Sequence, residues 1–167
     1  DFELLEIKET KGHPIDQWIQ SKFVETIDEV EKQFSQYRFD LAATAMYEFV
    51  WNDFCDWYIE LSKALINEPG IKQSQKDYTK NNLIMMLDAI LRMLHPTIPF
   101  ITEEIWQSLS EENNNRSIMK ADFPSSKNWK ADTEIAANTE WLKSFVSSVR
   151  QIRSEMTISP KQSIKII

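Results

Sequence analysis

The segment from Tyr37 to Lys63 constrains the fold of this chain more than any other. It contains neither Gly nor Pro, and aromatic residues recur along it at Phe39, Tyr47, Phe49, Trp51, Phe54, Trp57 and Tyr58. A helix that is apolar around most of its circumference must be surrounded by other elements. The segment therefore predicts a helix in the core of a bundle, or one that forms the back wall of a recognition surface.

Composition favours helices in the rest of the chain as well. Only two of the 167 residues are Gly, so few positions can adopt the positive φ that tight hairpin turns require. A chain of this length fits one domain of ordinary size. We expect an all-α fold, an antiparallel bundle of four to five helices, with a short C-terminal strand where Ser163 to Ile167 alternates in polarity.

The apolar spacing predicts five helices joined by short connections. We expect Asp16 to cap the first helix and Asp40 to cap the second. The second helix should stop before Pro69-Gly70, and residues 71–76 should form a loop. The first predicted helix begins after Pro14 and ends near Tyr37. The other four span about 40–66, about 77–94, 99–109 and about 134–156.

The first and fifth helices each carry an apolar seam that steps by three and four residues. In the first helix the seam runs through Ile19, Phe23, Ile27, Val30, Phe34 and Tyr37; in the fifth it is Leu142, Phe145, Val149, Ile152 and Met156. Such a seam usually faces a neighbouring helix. We divide the chain into a connector at 1–15, a helical bundle at 16–122, and a segment at 123–167 with a linker, the fifth helix and the start of a C-terminal element.

The net charge of −7 argues against a general nucleic-acid binder, because phosphate contacts need Lys and Arg. The charge is uneven: residues 1–60 hold 14 acidic and 5 basic side chains, whereas residues 123–167 hold 4 and 7. RNA would therefore meet a local surface of this chain and not a basic protein.

Several kinds of chemistry lack a sequence signature. The two His, at positions 13 and 95, lie in no metal-binding spacing, and no Gly-rich phosphate loop can form from Gly12 and Gly70 standing alone. We expect neither a catalytic site nor a metal in this chain. The lone Cys55 fits a reducing cytoplasm, and no apolar run is long enough to span a membrane. We also expect a monomer.

Three stretches together resemble one family. They are RFDLAATAMYEFVWNDFCDWYIELSK at 38–63, LHPTIPFITEEIW at 94–106 and EWLKSFVSSVRQIRSEMTISP at 140–160. They are similar, in order and spacing, to the anticodon-binding helical domain of valyl-tRNA synthetases, which are class I aminoacyl-tRNA synthetases. The LxPxxPFxxEExW pattern is shared with isoleucyl- and leucyl-type enzymes, whereas FCDWY and VRxIRxEMxISP are more specific to the valyl branch.

The resemblance implies a tRNA-binding module of a valine–tRNA ligase. The HIGH and KMSKS signatures of that family are absent from this chain, so ATP, Mg²⁺ and the chemistry would belong to the catalytic domain of a parent protein. The implied partners are the anticodon stem-loop of valine tRNA and that catalytic domain. Two alternatives stay open: an isoleucyl-, leucyl- or cysteinyl-type domain, and a helical protein-interaction module with an acidic face.

Anticodon recognition requires aromatic or guanidinium planes that stack on unpaired bases, and polar groups that bind base edges. We predict nine tRNA-binding residues: Arg38, Phe39, Trp51, Asn52, Asp53, Phe54, Lys63, Arg150 and Arg153. Core packing is favoured over base stacking about two to one for Trp51 and Phe54, and about four to one for Tyr47, Phe49, Trp57 and Tyr58. For Arg38, the competing interpretation is a simple ion pair with Asp40.

Overall fold

A computed structural model describes residues 12–109, 116–159 and residue 162 of the chain. Its α-helices are α1 (Pro14–Ser35), α2 (Phe39–Glu48), α3 (Ile59–Asn67), α4 (Gln73–Leu94), α5 (Pro99–Leu109) and α6 (Thr133–Glu155). A π-helical segment, Phe49–Tyr58, joins α2 to α3, so these three elements form one long helix. The described residues contain no strand, and the predicted all-α bundle of four to five helices is confirmed.

Helix α1 begins with a capping box that differs from the prediction. His13 is the N-cap, and its Nδ1 accepts from the Ile15 backbone N–H at 3.4 Å. Asp16 stands at the third helical position and accepts from the His13 N–H at 3.2 Å. The prediction that Asp16 is the cap was wrong because Pro14 takes the first helical position, where its fixed φ fits and its missing N–H costs nothing.

The long second helix contains a register change that the sequence analysis did not predict. Its buried residues Met46, Phe49, Phe54 and Tyr58 are separated by three, five and four positions. The five-residue step matches the wider turn of a π-helix. An unbroken α-helical register from Phe49 would have placed Asn52 or Asp53 on the core side. The wide turn leaves Asn52 exposed and keeps Phe54 and Tyr58 inside.

Two other boundaries differ from prediction. The second helix begins at Phe39 with Arg38 as an N-cap that makes no side-chain capping bond, so Asp40 is not the cap. Helix α4 begins at Gln73, so the predicted loop at 71–76 was too long. Gln and Lys have good helix propensity, and the polar residues after Lys72 continue the helix without burying an apolar face. Helix α5 matches its predicted bounds.

Helix α1 lies at the centre of the bundle. Its start contacts Tyr58 and its end contacts Phe39, so it runs antiparallel to the long second helix. The predicted first seam is buried from Ile19 through Val30, but the helix ends at Ser35 and leaves Tyr37 81% exposed. One core joins α1, the long second helix, α4 and α6: Trp18, Ile19, Phe23, Ile27, Val30, Ala42, Met46, Phe49, Phe54, Tyr58, Met86, Ala89, Ile90, Met93 and Ala136.

The segment after residue 115 returns to this core. Trp129 places its ring edge-on against Phe23, with centroids 5.1 Å apart, and Ala136 of α6 is buried. A smaller core of Leu91, Trp106 and Ile118 holds α5 against α4. The division at residues 122/123 stays a prediction. Of the predicted connector at 1–15, residues 1–11 lie outside the described residues and α1 already begins at Pro14; the predicted strand at 163–167 also lies outside them.

Candidate nucleic-acid interface

A buried polar network closes one end of the bundle. Asp16 is fully buried and accepts from the Tyr58 hydroxyl at 2.7 Å and the Thr79 hydroxyl at 2.8 Å. Asn82 donates to the Tyr58 oxygen at 2.7 Å and accepts from the Gln20 amide at 2.6 Å. Burial raises the pKa of Asp16, although the three hydrogen bonds it accepts oppose the shift. The closed network ties α1, the π segment and α4 together and has no surface to offer a ligand.

The other end of α1 is open and aromatic. After α1 ends, Tyr37 adopts a positive φ of 58° and turns the chain into α2. The rings of Tyr37 and Phe39 meet edge-on with centroids 6.3 Å apart, and both residues are exposed. The Arg38 guanidinium makes two hydrogen bonds to Asp40, at 2.9 and 3.0 Å, and holds the pKa of that carboxyl at about 2. This junction presents two rings and a guanidinium plane to solvent.

A second exposed aromatic pair lies farther along the same long helix. Tyr47 and Trp51 stack with an interplanar angle of 3° and centroids 6.3 Å apart. Tyr47 is 63% exposed and Trp51 is 55% exposed, and the neighbouring Asn52 is also exposed. The expectation that Tyr47 packs in the core was wrong. The signal that could have found it is the spacing of four, which puts Tyr47 and Trp51 on one face while Met46 and Phe49 take the other.

Asp53 is engaged by a lysine of α6. Lys143 Nζ lies 2.7 Å from Asp53 Oδ1 and 3.2 Å from Glu140, and the Lys143 side chain is 13% exposed. The same ammonium lies 4.8 Å from the Trp18 ring centroid and 5.7 Å from that of Trp57. This cluster holds α6 against the rest of the bundle, so the Asp53 carboxylate serves packing in this structure.

Three other predicted residues have specific partners. Arg150 is exposed and places its guanidinium 5.4 Å from the Trp57 ring centroid. Lys63 pairs with Glu60 at 2.7 Å on the surface of α3. Arg153 donates to the backbone oxygens of Ser159 and Gln162, which stabilises the chain after α6. All three carry charge and are at least partly exposed.

Phe54 is the predicted stacking residue that the structure places in the core. It is 5% exposed and packs against Tyr58 with ring centroids 5.9 Å apart. The π-helical turn accounts for this placement, since the wide register carries Phe54 inward while Trp51 and Asn52 remain outside. Its ring has no face open to a base, and we leave Phe54 out of the candidate interface.

The nine predicted residues do not form a single pocket: seven belong to the long second helix and its N-cap, and Arg150 and Arg153 belong to α6. The helix from Arg38 to Lys63 is about 35 Å long at ~1.5 Å per residue. Arg38 and Phe39 lie at one end of that helix, Trp51 and Asn52 lie near its middle, and Lys63 lies toward its other end. The candidate interface is therefore an elongated surface centred on the exposed aromatic pairs, Tyr37–Phe39 and Tyr47–Trp51.

Other kinds of site find no support within residues 12–109 and 116–159. No three His, Cys, Asp or Glu side chains in that part of the chain come close enough together to hold a metal ion. None of the helices there is both long and apolar enough to cross a membrane.

Comparison with known proteins identifies the family. Residues 16–167 match the family model described as the anticodon-binding domain of tRNA ligase. The valine–tRNA ligase of Legionella pneumophila (strain Lens) is 44% identical over 155 residues, which cover 92% of this chain and 17% of that protein. The enzyme of that name from Coxiella burnetii (strain RSA 493 / Nine Mile phase I) is 38% identical over 154 residues, or 91% of this chain and 17% of the relative.

A third relative extends the same pattern. The valine–tRNA ligase of Stenotrophomonas maltophilia (strain R551-3) is 36% identical over 154 residues, which cover 90% of this chain and 16% of that protein. This chain therefore spans about a sixth of the length of the curated relatives it matches. With a family model matched over nearly the whole bundle, the chain belongs to the family of anticodon-binding domains of tRNA ligases.

Proposed function

We propose that this domain binds the anticodon loop of valine tRNA through its exposed aromatic pairs. The observation that carries the proposal is the parallel stack of Tyr47 and Trp51, both more than half exposed on a helix whose other face is buried. An unpaired base can extend such a stack, and one base stacked on an aromatic ring contributes ~1–3 kcal/mol. Asn52, beside Trp51, supplies a donor and an acceptor for a base edge.

The junction at Arg38 and Phe39 provides a second contact for the same loop. Phe39 lies eight residues before Tyr47, or about 12 Å along a helix. The Arg38 guanidinium can stack on a base or pair with a phosphate once the loop replaces Asp40 as its partner. Asp40 and Glu48 are exposed on the same helix and can accept hydrogen bonds from base amino groups. Lys63, Arg150 and Arg153 serve as more distant phosphate contacts, and Asp53 positions α6.

The full-length protein, in this proposal, is a valine–tRNA ligase of the cytoplasm. Its catalytic domain uses ATP and Mg²⁺ to attach valine to the tRNA, and this monomeric domain contributes recognition only. Binding energy at the anticodon then increases discrimination between tRNAs by placing the acceptor end correctly. Valine is favoured over isoleucine, leucine or cysteine because the relatives reported above are valine–tRNA ligases.

A titration of this chain tests the binding surface directly. We would follow backbone amide NMR signals while adding the anticodon stem-loop of valine tRNA at low salt, with the stem-loop of isoleucine tRNA as the control. Larger shifts for the valine loop at residues 37–52 are expected. Equal shifts for both loops would contradict valine recognition, and shifts confined to other surfaces would contradict the aromatic interface.

A kinetic test in the full-length protein separates recognition from catalysis. Trp51→Ala and Arg38→Ala should lower kcat/KM for tRNA about 10-fold, since one lost stacking contact is ~1.4 kcal/mol. Valine-dependent ATP–pyrophosphate exchange, which needs no tRNA, should stay at the wild-type rate. A parallel fall in both activities would show that these residues support the fold or the catalytic site instead.

A further inference from the structure

The apolar seam predicted on the fifth helix is exposed on the surface of the bundle. Leu142, Phe145, Ile152 and Met156 are between 40% and 66% exposed, and Val149 between them is half-buried. Trp141 stacks on Phe145 with an interplanar angle of 12° and is 69% exposed. A run of large apolar side chains this long is unusual on a free surface and marks an interaction site.

The seam does not belong to the face by which α6 joins the bundle. The described contacts of α6 with the bundle involve Ile135, Ala136, Thr139, Glu140, Lys143 and Arg150. At 3.6 residues per turn, the seam from Leu142 to Met156 lies about 130° around the helix from that face. The side of α6 turned away from the bundle is thus more apolar than the side turned toward it. Such a helix is expected between two packing partners.

The spacing of the seam identifies the kind of partner. Its five members are separated by three, four, three and four residues, which is the repeat by which one helix packs along another. The seam itself carries no charge, and at 3.6 residues per turn Ser148 lies along one of its edges and Arg153 along the other. The partner that fits is an amphipathic helix with a matching apolar seam.

The length of the seam indicates where that helix comes from. It covers only about two heptads, whereas helices of separate chains need ~3–4 heptads to associate stably. A helix of the same polypeptide needs less contact, because covalent linkage supplies an effective concentration in the millimolar range. This chain spans about a sixth of its curated relatives, so most of such a protein lies outside it.

We propose that Leu142, Phe145, Val149, Ile152 and Met156 form the docking seam for a helix of the full-length protein that lies outside this domain. The docked helix covers the outer face of α6 and makes α6 an internal helix of the larger protein. This inference concerns contacts between parts of one polypeptide, and it holds whether or not the exposed aromatic pairs bind RNA.

Hydrogen–deuterium exchange tests the proposal without any substitution. Amides of residues 142–156 should exchange at least 10-fold more slowly in the full-length protein than in this chain, while amides of the π segment exchange alike in both. Equal rates at 142–156 in the two proteins would overturn the proposal.

A matched pair of variants identifies the occupant. Ile152→Lys should return exchange at 142–156 in the full-length protein to the rate seen in this chain, and Gln151→Lys, an exposed neighbour off the seam, should not. If this chain dimerises in light scattering and Ile152→Lys abolishes the dimer, the occupant is a second copy and the proposal is wrong. Protection of the seam in this chain by the anticodon stem-loop would assign it to RNA and would equally overturn the proposal.

Discussion

The closed polar network and the exposed aromatic pairs use the same residue types for opposite purposes. In the network, Asp16 accepts from Tyr58 inside the bundle; at the open end, Asp40 pairs with Arg38 beside Tyr37 and Phe39 in solvent. Burial gives the first set a structural role, because a buried carboxylate must keep the hydrogen bonds that it accepts. Exposure leaves the second set free to exchange its partners for a ligand.

The pKa values of the two carboxyl groups are shifted in opposite directions. Burial raises the pKa of Asp16 above its ordinary value of 3.8, whereas hydrogen bonds from Arg38 lower the pKa of Asp40 to about 2. Desolvation dominates at the first site and a charge-assisted hydrogen bond dominates at the second. Neither residue type nor spacing therefore distinguishes a structural carboxylate from an exposed one in this helical domain.

The largest expected effect comes from removing the buried carboxylate. Asp16→Ala leaves the hydroxyls of Tyr58 and Thr79 and the His13 N–H without their acceptor, which costs about 4 kcal/mol of unfolding free energy at ~1–3 kcal/mol per buried group. Urea unfolding followed by circular dichroism measures it. Asp40→Ala is the control and should leave the midpoint nearly unchanged. Equal midpoints for the two variants would remove the distinction between the sites.

Two aromatic residues of the π segment, one buried and one exposed, should separate stability from binding. Phe54→Ala removes a core ring and should cost about 3 kcal/mol of stability. Trp51→Ala should leave stability near wild type and weaken binding of the valine anticodon stem-loop about 10-fold, measured by fluorescence anisotropy of labelled RNA. Loss of stability in Trp51→Ala would mean that its ring is more deeply packed than the structure indicates.

Two lysine ion pairs differ in burial and should therefore differ in their contribution to the free energy of unfolding. Lys143→Ala strands the half-buried Asp53 and removes the ammonium between the Trp18 and Trp57 rings, so about 2 kcal/mol of unfolding free energy should be lost. Lys63→Ala breaks an exposed pair with Glu60 and should change stability by about 0.3 kcal/mol. Both variants are measured by urea unfolding. If Lys143→Ala is as mild as Lys63→Ala, the cluster does not anchor α6.

The smallest expected effect is a pH dependence of opposite sign at the two carboxylates. Because the folded state raises the pKa of Asp16, its contribution to stability is complete below pH 3.8 and is lost as pH rises through the raised value. The stability of wild type relative to Asp16→Asn should therefore fall as pH increases from about 4. A difference that grows with pH would contradict the burial effect.

Asp40 should behave in the reverse way. Its lowered pKa gives a contribution that is present above pH 3.8 and is lost as pH falls through about 2. Carboxyl NMR signals should place the midpoint of Asp40 near 2 in the wild type, and Arg38→Gln should move it back toward 3.8. A midpoint that ignores the substitution would show that Arg38 is not its partner in solution.

Much of the architecture follows from local patterns. Pro99 and the apolar repeat after it define α5 at its observed bounds, and the turn before Pro69-Gly70 ends α3 at Asn67. The family also follows, because the three quoted stretches lie in the region that the family model matches. The inward placement of Phe54 could not be predicted, because it depends on the π-helical register of Phe49–Tyr58.

By itself the sequence determined the helices, the all-α class and the family, because apolar repeats and helix-stopping residues act over a few neighbouring positions. Only the tertiary structure decided which aromatic faces are open. The π turn shifts the register after Phe49, and this shift depends on packing Phe54 and Tyr58 against helices distant in the chain. The same holds for α6, whose apolar repeat predicts a partner but whose observed face toward the bundle is the other one. Burial is a property of the assembled helices, and it decides whether an aromatic or acidic residue stabilises the fold or meets a ligand.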